Sequence, residues 1–148
     1  MNNNATLITG STAGIGLDIA KSCVAKGRNV IFNGRNKKRL DLITKNFRNQ
    51  RVSGVAADVT SKSGVNKIYK HVKDNYGKLD GLVCNVGSGR GKPPGDETLD
   101  DWNASIDVNF FSALNLIYKF NDLMYEDASI VCISSICGVK RLSNAPIA

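Results

Sequence analysis

The sequence has only three prolines, one tryptophan and one histidine. With so few prolines, long stretches stay open to regular structure. The lone histidine, His71, has no partners for a metal site, so none is expected. Four cysteines, Cys23, Cys84, Cys132 and Cys137, show no CxxC spacing, and three of them sit in or beside apolar runs that read as buried strands. That excludes a disulfide framework and a zinc knuckle and suits a reducing, cytoplasmic setting. No apolar run approaches the roughly 18 residues that cross a bilayer, and the start Met1-Asn2-Asn3-Asn4 lacks signal-peptide architecture. There is no internal repeat and no low-complexity tract.

What is present suits a layered α/β protein. The chain has 148 residues, 42% of them hydrophobic, and 14 glycines. That is enough for one core, read as a single domain over 1–148. The net charge of +7 invites a nucleic-acid reading. Lys and Arg are scattered, however, and aromatics are not interleaved with them, so no nucleic-acid partner is expected and most charges are solvated surface.

Apolar runs and helical periodicity alternate along the chain. Residues 5–9 read as a strand ending in glycines, and the helix after it carries Ile15, Ile19, Ala20, Cys23 and Val24 on one stripe. Strands follow at 29–33 and about 52–57, with a polar helix at about 37–47 between them. Ser61 caps a helix bearing Val65, Ile68, Tyr69, Val72 and Tyr76, which Gly77 stops. Strand four is 79–85, a Gly- and Pro-rich loop spans 86–98, a long helix runs from about Trp102 to Leu123, and strand five is 129–134. This alternation predicts a Rossmann-type, doubly wound parallel sheet of strand order 3-2-1-4-5, ending after strand five.

The first strand leads into Thr9-Gly10-Ser11-Thr12-Ala13-Gly14-Ile15-Gly16. Glycines there allow a sharp turn and a close approach of backbone to a pyrophosphate, and the helix that follows presents free N–H groups to an anion. The cofactor-binding candidates are therefore Gly10, Ser11, Ala13, Gly14, Ile15 and Gly16.

TGxxxGxG in this position resembles the cofactor signature of the short-chain dehydrogenases/reductases, and further motifs follow in that family's order. Asp58-Val59 resembles the acidic residue after strand three that bonds the adenine. Cys84-Asn85-Val86-Gly87 resembles the family's NNAG, with Cys and Val replacing Asn and Ala. Asn109 matches the helix asparagine, and Ser135 stands in the catalytic serine's place, before Gly138. The resemblance covers essentially the whole chain. It implies hydride transfer between a nicotinamide cofactor and a small alcohol or carbonyl substrate. Asp58, Val59, Asn85 and Gly87 would contact the cofactor, Ser135 would hydrogen-bond the substrate oxygen, and Asn109 would support a water relay.

At the end of strand two, Gly34 occupies the place of the acidic residue that takes the ribose hydroxyls of NAD, and Arg35 follows. An arginine there accommodates a 2′-phosphate, so NADP(H) is expected rather than NAD(H).

The resemblance places the acid–base pair, YxxxK, beyond Ala148, and residues 142–148 look like the run leading into it. The chain is thus expected to be C-terminally incomplete and inactive by itself, as a fragment or a short gene product. The alternative is a non-catalytic dinucleotide-binding or interaction module, which binds NADPH without turnover. Tyr69 and Lys73 also satisfy YxxxK but precede the serine, and they read as a half-buried tyrosine and an exposed lysine. His71 reads as a surface residue. Gly87 to Lys92 only superficially matches a P-loop, because Pro93 stands where Ser or Thr must hold magnesium. The long helix, with Phe110, Phe111, Leu114, Leu116, Ile117 and Phe120, is too apolar for one sheet contact and predicts a homo-oligomer through about 102–123.

Overall fold

The computed structural model describes residues 5–47, 51–89, 92–93 and 95–140. Arg90, Gly91 and the run 142–148 discussed above lie outside the described residues. Five strands, β1 (Ala5–Ile8), β2 (Asn29–Gly34), β3 (Val52–Ala56), β4 (Leu79–Cys84) and β5 (Met124–Cys132), form one sheet. Its order is β3-β2-β1-β4-β5 and every pairing is parallel, as the alternation of apolar runs predicts.

Both faces are covered. Helices α1 (Gly14–Ala25) and α2 (Lys37–Lys45) pack Ala20, Val24 and Leu40 against Ile8, Val30, Phe32 and Val83. On the other face, α3 (Lys62–Asn75) contributes Val65, Ile68 and Val72. They meet Leu7, Ile31, Leu79 and Leu82, together with Leu116 and Phe120 of a later helix. Burial on both faces of the central strands β1, β2 and β4 explains why they are largely apolar and do not alternate. Each such side chain contributes roughly 1.5–3 kcal/mol relative to exposure.

The long helix departs from expectation. It starts earlier, as α4 (Leu99–Ile106), because Thr98 and Asp101 form a capping box: Asp101 N donates to Thr98 Oγ1 at 3.3 Å and Thr98 N donates to the Asp101 carboxylate at 2.8 Å. A π-helical turn (Asp107–Phe111) then interrupts it before α5 (Ser112–Phe120) and a 3-10 turn (Asn121–Leu123). Leu116 and Phe120 are buried, whereas Trp102, Ile106, Phe110 and Phe111 are exposed. Strand β5 likewise begins earlier than 129, with a register shift against β4 between Leu79 and Gly81. Among the described residues it lies at the border of the sheet, and Cys132 is exposed there where a buried strand cysteine was expected; Cys84 is buried, and all four cysteines are free thiols. Ile15 leaves the expected buried stripe and is 64% exposed. It sits in the first turn of α1, above the strand ends, and only Gly16, Ala20 and Val24 of that helix are buried.

His71 is half-buried and not a plain surface residue. Its Nε2 lies 2.9 Å from Ser53 Oγ, which also accepts the Tyr76 hydroxyl at 2.8 Å. Burial lowers its pKa below the ordinary 6.5, with the nearby Asp74 opposing. Below 6.5 the unfolded chain therefore binds the proton first. Stability is full above about pH 6.5 and falls as pH drops from there towards the folded value. Thermal melts across this range are expected to show the loss, with a flatter profile in His71→Gln than in the parent. Identical profiles would disprove the coupling.

Candidate functional site

The C-terminal ends of β1, β2, β3 and β4 open into one cleft of about 760 Å³. Its lining includes Gly10, Thr12, Asn33, Gly34, Arg35, Asp58, Val59, Asn85 and Gly87, with Lys92, Asp101 and Val108 on the far side. The sheet order makes this crevice: β1 lies between β2 and β4, whose following segments leave on opposite faces.

The glycine turn is built for backbone approach. Gly10 and Gly14 have φ of +63° and +51°, the left-handed region that glycine enters without strain. A Cβ on Gly16 would lie 2.8 Å from Gly10 O and collide with the Asn85 amide, whereas one on Gly14 would meet nothing within 4 Å. Asn85 holds the turn in place: Nδ2 donates to Thr9 O at 3.0 Å, and its backbone N donates to Thr9 Oγ1 at 3.0 Å. Ser11 is fully buried. Its hydroxyl donates to Ile8 O at 2.8 Å and accepts from Asn33 N at 2.9 Å, so its side chain ties the turn to β2 and does not face the cleft. Asn33, also buried, carries the tie onward, with Nδ2 donating to Val55 O at 3.0 Å and Ala57 O at 3.2 Å.

Helix α1 differs from its neighbours at its start. Side chains of Asn36, Ser61 and Thr98 accept hydrogen bonds from the first turns of α2, α3 and α4. At α1 the N-cap is Ala13, with no side-chain cap and no acidic residue in the first turn. Ala13, Gly14 and Ile15 are exposed there. The unsatisfied N–H groups and the positive end of the helix dipole thus face outward beside the glycine turn. The residues present fit a pyrophosphate.

The ends of β2 and β3 carry the charge. Asp58 accepts Thr60 N at 3.0 Å and Thr60 Oγ1 at 2.8 Å on one oxygen, which holds its pKa below the usual carboxylate value; Arg35 adds to this. Arg35 Nη1 lies 3.9 Å from the other oxygen, beyond hydrogen-bond range, and its side chain is 82% exposed. A Cβ on Gly34 would lie 2.6 Å from Thr12 Cγ2. Thr12 therefore closes the place where an acidic side chain would stand.

The two catalytic candidates occupy different settings. Asn109 lies in the π-helical turn. Its Oδ1 accepts Ser88 N at 2.8 Å and its Nδ2 donates to Ser88 O at 3.0 Å, so the amide clamps the loop after β4. Gly87 permits the clamp, because a Cβ there would sit 3.0 Å from Asn109 Oδ1. Ser135 is exposed after β5, and its Oγ accepts Cys137 N at 3.2 Å. As acceptor in that bond, it keeps its own proton to donate.

Sequence reasoning missed Thr12, Asn33, Thr60 and the ion pair of Lys92 with Asp101, 2.8 Å long, that walls the cleft. Only Thr98-x-x-Asp101 carried a legible signal, as a capping box. Tyr69 lies elsewhere: its hydroxyl donates to Asp122 at 2.6 Å, and Lys119 sits 4.4 Å over its ring. That bond raises its pKa, opposite to what acid–base chemistry near neutrality needs. Among the described residues there is no cluster of His, Cys, Asp or Glu able to hold a metal, and no helix long and apolar enough to cross a membrane.

The same arrangement recurs in known proteins. An uncharacterised oxidoreductase of Staphylococcus epidermidis is 30% identical over 136 residues, 90% of this chain and 59% of its own length. One from Staphylococcus aureus is 28% identical over 149 residues, 99% of this chain and 64% of its own. The chain therefore spans about three-fifths of the length of these relatives. The structure of L-sorbose reductase from Gluconobacter frateurii, complexed with NADPH and L-sorbose, superposes with a TM-score of 0.92 at 28% identity, covering 97% of this chain and 57% of that one. A short-chain dehydrogenase/reductase of Brucella melitensis gives 0.90 at 26%, covering 98% and 63%. The family model for short chain dehydrogenases matches residues 4–147, so by glycine turn, sheet order and whole-length similarity this chain belongs to that oxidoreductase family.

Proposed function

We propose that this chain is the cofactor-binding part of an NADP(H)-dependent oxidoreductase that acts on a small alcohol or carbonyl compound. The observation that carries the reading is the uncapped start of α1 beside Gly10, Gly14 and Gly16, with Arg35 at one end of the same cleft and Thr12 filling the space of an acidic residue at position 34. When bound, the nicotinamide supplies or accepts the hydride.

The chain's own residues bind and orient. The glycine turn and the N–H groups at Ala13, Gly14 and Ile15 hold the pyrophosphate. Arg35 takes the 2′-phosphate, and Asp58, Val59, Asn85 and Gly87 bound the adenosine end. Ser135 donates its hydroxyl proton to the substrate oxygen, where charge develops. Asn109 supports the water relay from its π-helical turn while its amide fixes Ser88. The L-sorbose reductase structure, which contains NADPH, supports the choice of cofactor. The exposed face of Trp102, Ile106, Phe110 and Phe111 serves as the contact with a second copy.

Calorimetric titration of the folded chain with NADPH and NADH tests the reading. Binding of NADPH at least about tenfold tighter than NADH, a difference of about 1.4 kcal/mol, is expected. No heat with either nucleotide would overturn it.

A further inference from the structure

We propose that the outer border of β3 is a docking site for an extended acidic peptide of a partner protein, which adds to the sheet as a further strand. β3 borders the sheet on the side away from β5, with β2, β1 and β4 between them. Its ladder to β2 uses every second residue: Arg51 O accepts Val30 N, and Ala57 N donates to Gly34 O. Bonding direction alternates along a strand, so Val52, Gly54 and Ala56 point their N–H and C=O groups outward, where among the described residues no strand pairs with them. Lys67 Nζ donates to Ala56 O at 2.8 Å, in the place that the N–H of an added strand would take.

Helices α2 and α3 stand on either side of this border and make it the floor of a groove of about 400 Å³. Lys37 and Leu40 line it from α2, and Lys67, Lys70 and His71 from α3, with Gly54 exposed at the floor. The groove shares no lining residue with the nucleotide cleft, so the proposal does not depend on the dinucleotide reading.

Charge decides the occupant. Residues 35–78 hold twelve of the chain's 20 Lys and Arg but only three of its 13 Asp and Glu, so the net charge of +7 comes entirely from the segment that builds this border. Lys37 and Lys70 pair with Asp41 and Asp74 at 2.7 Å, but both pairs are exposed and exchange partners at little cost. Lys67 bonds a neutral carbonyl. An open edge is a template for another chain, and lysines along it keep a second copy of this basic border away. A strand bearing carboxylates is drawn in instead. Alternate residues of a strand lie about 6.6 Å apart on one face, and Lys67 and Lys70, three apart on a helix, have Cβ atoms about 5–6 Å apart, so carboxylates two residues apart reach both. The residues between them turn to the α2 side, where Leu40 suits an apolar side chain.

The folded 148-residue chain is titrated with a fluorescent peptide alternating Glu with Val, while amide exchange is followed residue by residue by NMR. The peptide is expected to bind and to slow exchange at the amides of Val52, Gly54 and Ala56. A Lys-Val counterpart does not bind, nor does an N-methylated Glu-Val peptide that keeps the charge and loses the strand N–H groups. Lys67→Glu with Lys70→Glu weakens binding by at least about tenfold through like-charge repulsion. Lys21→Glu with Lys26→Glu, the same change at exposed lysines on and just after α1, leaves it unchanged. Absence of binding overturns the proposal, as does protection along β5 instead of β3. Equal binding of the N-methylated peptide or of a thymidine oligonucleotide, displacement by NADPH, or an equal loss in the α1 variant also overturns it.

Discussion

Gly16→Ala is expected to lower NADPH affinity by at least about tenfold and stability by about 1–3 kcal/mol, the range for forcing an extra methyl into a packed site. The new Cβ has nowhere to go. It would stand 2.8 Å from Gly10 O, which is backbone, and against the Asn85 amide that closes the turn through Thr9 O. Displacing Asn85 releases the β4 end from the turn, so the phosphate cradle and local packing fail together. Gly14→Ala is the informative control. Its φ of +51° costs an alanine roughly 1–2 kcal/mol, yet nothing lies within 4 Å of the added atom. Melting curves and calorimetry on both variants separate the effects: Gly14→Ala loses stability through backbone strain and meets NADPH only with a methyl in the open space beside the phosphates, whereas Gly16→Ala displaces the turn itself. Parental affinity in Gly16→Ala would remove the turn from the proposed site.

Arg35→Ala is expected to weaken NADPH by about 10- to 100-fold, since a hydrogen bond to a charged group is worth about 1.5–3 kcal/mol, and to leave NADH little changed. Arg35 is able to respond to a ligand because Asp58 holds it only at 3.9 Å and Asp58's own hydrogen bonds go to Thr60. An exposed guanidinium is screened by salt, so the preference for NADPH should also shrink as ionic strength rises. Gly34→Asp alone is not expected to create an NADH enzyme, because its Cβ would press on Thr12 Cγ2 at 2.6 Å. Paired with Thr12→Gly, it gains the room. Equal loss of NADPH and NADH binding in Arg35→Ala would show that the residue does not read the 2′-phosphate.

The layered fold was legible because burial on both faces writes itself as unbroken apolar runs, and β2, buried from Asn29 to Gly34, is the plainest of them. The glycine turn was legible because its demands on φ and space admit few residues. Ile15 misled because periodicity assigns it to the α1 stripe, and only the position of the first turn above the strand ends shows that nothing lies beneath it. His71 misled for the opposite reason. Its partner Ser53 is on β3, and no local pattern announces a contact between a helix and a strand eighteen residues back. The grip of Asn109 on Ser88 was invisible for the same cause, since it depends on where the loop after β4 returns, and no local pattern announced the π-helical turn at Asp107–Phe111. Lys92 and Asp101 read separately as loop charge and helix start, and become a cleft wall only through folding.

The buried amide of Asn33 gives the molecule a rigid linkage at right angles to its strands. From Ser11 in the turn, through Asn33, to the carbonyls of Val55 and Ala57, hydrogen bonds run unbroken across β2 to the far border of the sheet. A ligand seated on the turn would therefore be linked through these bonds to β3 as well, on the opposite wall of the crevice.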